Sequence, residues 1–108
     1  MPERGDLIWL SFSPQVGREQ AGRRPALVLS PRRYNQRVGL MLACPITSQV
    51  KGYPFEVRLN GTAGLCGAIL VDHLRSLDWR GRQAQRIGSA PAAVLDDVLV
   101  RLRPLLGL

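Results

Sequence analysis

Three features of this 108-residue sequence predict a small, mainly β (α+β) fold. Five or six short apolar segments sit between Gly, Pro and Asn punctuation, an Asn60-Gly61 dipeptide follows an alternating run, and one apolar-striped stretch closes the chain. Segments of this size, this close together, form a small antiparallel sheet or barrel. A chain this short forms one domain, 1–108, with a modest core.

The first strand is expected over Leu7–Phe12, where little alternation suits a central strand covered on both faces. Ala26–Ser30 is the second, and "RRYNQR" at 32–37, after Pro31, supplies a helical turn. Gly39–Cys44 is the third strand. Phe55–Leu59 alternates cleanly and should keep a wet face; Asn60-Gly61 tolerates positive φ, so the chain should fold back through a Gly-rich turn at 60–67 into Ala68–Val71, within the apolar segment Gly67–Val71. Leu74–Trp79 is the last expected strand. Val94, Leu95, Val98, Leu99, Leu102 and Leu106 then draw the stripe of a C-terminal helix. Ser89 is its expected N-cap and Pro91 suits its first turn, while Asp96 and Asp97 precede Arg101 and Arg103 in keeping with the helix dipole. Pro104 is expected to end or kink it near Arg103.

Charge narrows the choice of partner. Fifteen Lys plus Arg against eight Asp plus Glu give a net charge of +7, and all the cations but Lys51 are arginine. The arginine fork pairs bidentately with phosphate, so nucleic acid is the first candidate partner; a solvated basic surface is the plainer alternative. The opening MPERGDLIWL lacks the apolar core of a signal peptide and no apolar run nears the ~20 residues of a membrane span, which points to the cytoplasm. Cys44 and Cys66 lie in apolar settings without Cys-x-x-Cys or Cys/His clustering, so both are expected to be small buried hydrophobes, with no zinc and no disulfide.

No Walker loop, Rossmann fingerprint or Gly-x-Ser-x-Gly motif occurs, and the few acids supply a two-metal site poorly. A nuclease built from this chain would work without metal or other cofactor. RNA permits that, because its 2′-hydroxyl can attack the adjacent phosphorus. The protein must then supply a base, cationic donors for the phosphorane, and a proton for the departing 5′-oxygen. Glu19 and Arg24, in "EQAGRRPALVLSP" at 19–31, and Thr47, in "PITSQVKGYPFEV" at 45–57, can do this in kind. Pro25 restricts Arg24 to extended backbone and so fixes where its side chain begins. Spacing alone leaves other readings open: Glu19 pairs with Arg18 or Arg23, Arg24 flanks a strand, and Thr47 caps a turn. The lone His73 is either a catalyst or a satisfied partner near the core.

The stretches "RGDLIWLSFSP", "GREQAGRRPALVLSP", "YN", "CPITSQVKGYPFEV" and "DHLRSLDWRGR" resemble, in order and spacing, the MazF/PemK family of toxin ribonucleases. The likeness runs from residue 4 to about 106, and its most specific pieces are Glu-Gln-x-Gly-x-Arg-Pro at 19–25 and Pro-x-Thr at 45–47. It implies a half-open, SH3-like antiparallel β-barrel with short helices, and a homodimer. It also implies metal-independent cleavage of single-stranded RNA at short sequences, leaving 2′,3′-cyclic phosphate and 5′-hydroxyl ends. The implied partner is a cognate antitoxin whose acidic tail occupies the RNA groove. By the same resemblance Arg24 and Thr47 are the functional pair, with Glu19 the matching acid.

On chemical grounds Glu19 is the proposed base and Arg24 and Thr47 hold the phosphate oxygens. Arginine scarcely deprotonates below about pH 12, so Arg24 is no simple proton donor. Gln20, Arg23, Ser48, Lys51 and Arg80 are candidate RNA contacts. Ser11, Ser13 and Arg23 depart from residues common in close relatives, so base preference is not transferable. Two competing readings are a gyrase poison of the CcdB kind, which has no need of Arg24 and Thr47, and a non-catalytic RNA-binding barrel. Six aromatics shared between core and surface leave the latter few stacking platforms. An apolar C-terminal helix and Trp79 on so small a domain suggest more apolar surface than one copy buries, hence dimerisation.

Overall fold

In the computed structural model, which describes residues 1–12 and 22–108, one antiparallel sheet curls into a half-open barrel. Its elements in chain order are β1 (Asp6–Ser11), β2 (Arg23–Val28), α1 (Arg32–Val38), β3 (Leu40–Thr47), β4 (Glu56–Thr62), β5 (Leu65–Leu70), a 3-10 turn (Val71–His73), β6 (Arg75–Asp78), β7 (Gln85–Ser89) and α2 (Ala92–Leu105). The strands run in the order β4-β5-β3-β2-β1-β7, with β6 pairing β3.

β3 is the pivot of the sheet. One edge pairs with β2 (Ala26 opposite Pro45, Leu27 opposite Cys44, Val28 opposite Ala43). The other edge is shared: β6 covers Leu40–Ala43, and β5 covers Ile46 and Thr47. Two partners in succession along one edge require the sheet to bend at Cys44-Pro45, where Pro45 has no N–H to give a ladder.

The two faces bury different side chains. Leu7, Leu27, Cys44, Ile46, Val57, Leu59, Ile69 and Val98 form a core under α2. Ile8, Leu10, Phe12, Ala26, Val28, Met41, Ala43 and Leu77 form a second core, with Trp79 and Ala84 packed against it. Successive residues of β1 and β2 thus enter opposite cores, which is why Leu7–Phe12 shows no alternation. Phe55–Leu59 keeps its expected wet face, with Val57 and Leu59 buried and Arg58 exposed.

Several boundaries differ from expectation. The β4–β5 hairpin turns at Ala63-Gly64, between the paired Thr62 and Leu65, with φ of 52° and 77° at the two central residues. Asn60-Gly61 is instead a bulge inside β4, where the register shifts and Gly61 takes φ of 84°. β7 was not anticipated. Its sequence QRIGS has one strong apolar residue, and it is a strand because β1 offers it an edge. Ser89 lies in β7 and accepts from Arg86 Nη2, so Pro91 is the N-cap residue of α2. Pro104 lies inside the last turn without stopping the helix, which ends at Leu105; Gly107, at φ 74°, then lets Leu108 N–H reach the Arg103 carbonyl. Cys44 is buried as expected, but Cys66 is exposed, because it sits near the open hairpin end of β5, opposite the exposed Asn60. Burial, with the Asp72 charge adding to it, pushes the Cys44 thiol up to about 12, so it stays protonated and inert.

α1 is held by a buried polar knot. Asn35 is fully buried; its Nδ2 donates to the carbonyls of Pro2 (2.9 Å) and Ser30 (3.1 Å), and its Oδ1 accepts from Ser30 Oγ. Its own carbonyl accepts from Trp79 Nε1, tying β6 to the helix. Glu3 takes the place of a side-chain cap, accepting from Arg32 N–H, and the backbone N–H groups of Arg32 and Arg4 hold its carboxyl below the usual carboxylate range. Asn35→Ala leaves buried partners unsatisfied and is expected to destabilise by about 2–4 kcal/mol. Urea unfolding checks this, and a loss under about 1 kcal/mol would contradict the account.

Candidate nucleic-acid interface and active site

Strand register places Arg24 and Thr47 at the same end of the β2–β3 ladder. Arg24 is the second residue of β2 and pairs with Leu10; Thr47 is the last residue of β3 and pairs with Ala68. Ala26 pairs with Pro45, and Arg24 and Thr47 each lie two residues farther along at the same end of that ladder. With a side-chain period of two, both point to the face opposite the α2 core. Arg58, paired with Ala68, belongs to the same face. Arg58, Ala68 and Thr47 form one paired row and Arg24 and Leu10 another, and the β2–β3 pairing ends at Ala26–Pro45, two residues before the line on which the two rows would meet.

Thr47 is buried, and its Oγ1 accepts from Gln49 N–H at 3.1 Å. The turn-capping alternative is therefore realised, and it does not compete with a chemical role. A hydroxyl that accepts one bond still has its own hydrogen to donate, and the cap fixes where that hydrogen starts. Arg24 is partly buried and begins from the extended backbone that Pro25 favours.

Beside Thr47 opens a pocket of about 680 Å³ lined by Thr47, Gln49, Lys51, Tyr53, Glu56, Leu70, Asp72 and His73. Glu56 organises its rim. Its Oε1 accepts from the N–H groups of Lys51, Gly52 and Tyr53, at 3.1, 2.7 and 3.3 Å, so one carboxylate gathers three consecutive amides. Arg101, ion-paired with Asp97, donates to the Pro54 carbonyl from the other side. Lys51 Nζ lies 5.9 Å from the Tyr53 ring centre, placing a cation and an exposed aromatic face at the pocket mouth.

The remaining candidates divide. Ser48 is exposed just past Thr47. Arg23 is exposed but tethered, donating from Nη1 to the Gln83 carbonyl and from Nη2 to Gln85 Oε1. Arg80 lies 4.8 Å over Trp79 in the β6–β7 turn and does not line the pocket; Asp78, at the base of that turn, pairs with Leu40 at the other end of β3 from Thr47. Glu19 and Gln20 fall outside the described residues, as does Ser13. Sequence reasoning passed over Glu56 and Arg58, which it saw only as the wet side of a strand. The signal for Glu56 was its place after Lys-Gly-Tyr-Pro, where a tight loop leaves amides to be satisfied. Among the described residues no group of three or more His, Cys, Asp or Glu gathers as a metal site, and no helix is long and apolar enough to cross a membrane.

Comparison with known proteins bears on the fold and the family. Residues 3–106 match the family described as the PemK-like, MazF-like toxin of type II toxin-antitoxin systems. The endoribonuclease toxin MazF of Escherichia coli K12 is 45% identical over 107 residues, spanning 99% of this chain and 96% of the relative. The crystal structure of MazF from Deinococcus radiodurans superposes with a TM-score of 0.95 at 58% identity, covering 99% of this chain and 97% of that one. A MazE-MazF crystal structure from the same organism gives 0.90 at 56% identity, with coverage of 99% and 97%. With a family match across nearly its whole length and relatives this similar, the chain belongs to the PemK-like, MazF-like toxins of type II toxin-antitoxin systems.

Proposed function

We propose that this toxin is a sequence-specific endoribonuclease that cuts single-stranded RNA without metal or cofactor and thereby blocks translation and growth. The observation that carries the reading is the placement of Arg24 and Thr47 at one end and on one face of the β2–β3 ladder. The substrate 2′-oxygen attacks phosphorus, Glu19 takes its proton, and the 5′-oxygen leaves, giving a 2′,3′-cyclic phosphate and a 5′-hydroxyl. Arg24 and the Thr47 O–H hold the non-bridging oxygens as charge builds on them. Lys51, Ser48 and Arg58 continue the line of donors along the RNA, with Gln20 and Arg23 as further contacts.

The full assembly is a cytoplasmic homodimer neutralised by an acidic-tailed antitoxin. The MazE-MazF pairing of the D. radiodurans counterpart supports the partner, and the +7 charge suits an acidic tail. Dimerisation draws support from exposed apolar residues at the end of the chain, among them Val100, Leu105, Leu106 and Leu108.

Incubation with a long single-stranded RNA in excess EDTA tests the reading. Discrete cuts with cyclic-phosphate ends are the expected result. Intact RNA at high protein concentration overturns it, whether the protein merely retains RNA or instead stalls gyrase.

A further inference from the structure

The chemistry above leaves one requirement unfilled, since neither Arg24 nor Thr47 readily yields a proton to the departing 5′-oxygen. We propose that His73 is a further catalytic residue of this toxin and supplies that proton from the pocket it shares with Thr47.

Topology brings it there. β5 leaves the edge of β3 at Ile46 and β6 joins the same edge at Ala43, so the linker Val71–Leu74 spans the hand-over beside Cys44-Pro45. A contact between Cys44 Sγ and the Val71 carbonyl, 3.8 Å apart, marks the start of that crossing. The 5′-oxygen is bonded to the same phosphorus whose oxygens Thr47 would hold, so its proton donor must line the space that Thr47 lines; Thr47 is two to three residues, roughly 7–10 Å of backbone, from Cys44-Pro45, and the side chains of Thr47 and His73 both line the pocket between. His73 is half-buried and lines the pocket wall with Thr47, Gln49 and Leu70. The cavity, about 680 Å³, lies within the range that holds a small organic ligand, so a nucleotide has room.

The surroundings favour a proton role over a structural one. Among the described residues, the charged or titratable groups that line the pocket with His73 are Asp72 on the same turn, Lys51 and Tyr53 on the rim and Glu56 on β4; Cys44 lies behind on β3, Arg75 begins β6, and α2, which packs against the turn, carries the Asp97–Arg101 pair. Glu56 is engaged by the rim amides, Arg75 lies 5.6 Å over the Phe12 ring, and Cys44 is held protonated by burial. His73 is the chain's one histidine, and imidazole is the side chain suited to exchanging protons between about pH 5 and 8. In the step, the bond from the 2′-oxygen to phosphorus forms as the bond from phosphorus to the 5′-oxygen breaks. The proton on the His73 imidazolium passes to the 5′-oxygen, and the neutral ring regains a proton from water.

This inference rests on the ribonuclease reading, and its test separates the two. The full-length protein is assayed in single turnover on two versions of one RNA that it cuts: the normal strand, and one with sulfur replacing the 5′-oxygen at the cut site. A thiolate leaves without being protonated. With the oxygen substrate the wild-type rate should fall at the alkaline side of the profile, because the proton donor must be in its acid form. With sulfur that fall should vanish. His73→Gln should cut the oxygen substrate about 10²–10⁴-fold more slowly and the sulfur substrate within a few-fold of wild type. A wild-type pH profile unchanged by sulfur, or a His73→Gln protein equally impaired on both strands or on neither, overturns the role of His73. Failure of the wild type to cut either strand overturns the ribonuclease reading beneath it.

Discussion

Arg24→Ala is expected to lower the single-turnover rate of RNA cleavage by about 10²–10³-fold, the loss that follows removal of one donor aimed at developing oxyanion charge. The phosphorane carries more negative charge on its non-bridging oxygens than the ground-state diester, so a guanidinium at that position binds the transition state better than the substrate. The effect should therefore fall on the maximal rate. An arginine that merely attracts RNA would lose affinity and salt dependence instead. Arg24→Lys should recover only part of the rate, because an ammonium is a point charge and cannot span two phosphate oxygens. Thr47→Ser keeps both the donor and the cap on Gln49 N–H and should stay close to wild type. Thr47→Val removes both and should lose about tenfold or more from a hydrogen bond to a charged group. If the two side chains grip one phosphate, the double variant should lose less than the product of the single losses. Strict multiplicativity, measured under single-turnover conditions, would place them on different parts of the RNA.

How much of this was legible in the sequence depended on whether a feature was local. The central β1, the wet face of β4 and the stripe of α2 follow from periodicity, which is written residue by residue. The placement of Arg24 and Thr47 at one end of the β2–β3 ladder was not readable from composition or spacing. It depends on register, and Ala26 opposite Pro45 sets that register only once the whole ladder has formed. β7 escaped because Gln85–Ser89 is a strand by virtue of its neighbour. The Asn60-Gly61 reading failed for a related reason. Positive φ is equally useful in a bulge and in a turn, and the longer β4–β5 ladder moved the turn to Ala63-Gly64. Glu56 was seen as solvated because alternation reports which face a side chain takes, and says nothing of the loop amides that it meets there.

Gly67→Ala should be the most damaging single-methyl change near the site, and for a reason that joins fold to function. Gly67 takes φ of 135°, and a Cβ built on it would lie 2.1 Å from the Thr47 carbonyl oxygen and 3.2 Å from Ser48 Cα. Backbone atoms cannot rotate away as a side chain would, so β5 and the end of β3 must separate. Such a separation breaks the Thr47–Ala68 pairing that fixes the site. Gly64 supplies a comparison: its φ of 77° lies near the left-handed well, which alanine enters at modest cost, and nothing lies within 4 Å of its would-be Cβ. Gly64→Ala therefore reports the backbone term alone, about 1 kcal/mol. Gly67→Ala adds both the steric clash and a backbone region that only glycine occupies, and should cost about 3 kcal/mol or more in urea unfolding. The fraction that stays folded should also cut RNA more slowly, approaching Thr47→Val, because Thr47 is displaced even where the sheet survives. If Gly67→Ala matched Gly64→Ala in both stability and cleavage, β5 would not be what holds Thr47 in place, and the site would have to owe its geometry to β2 alone.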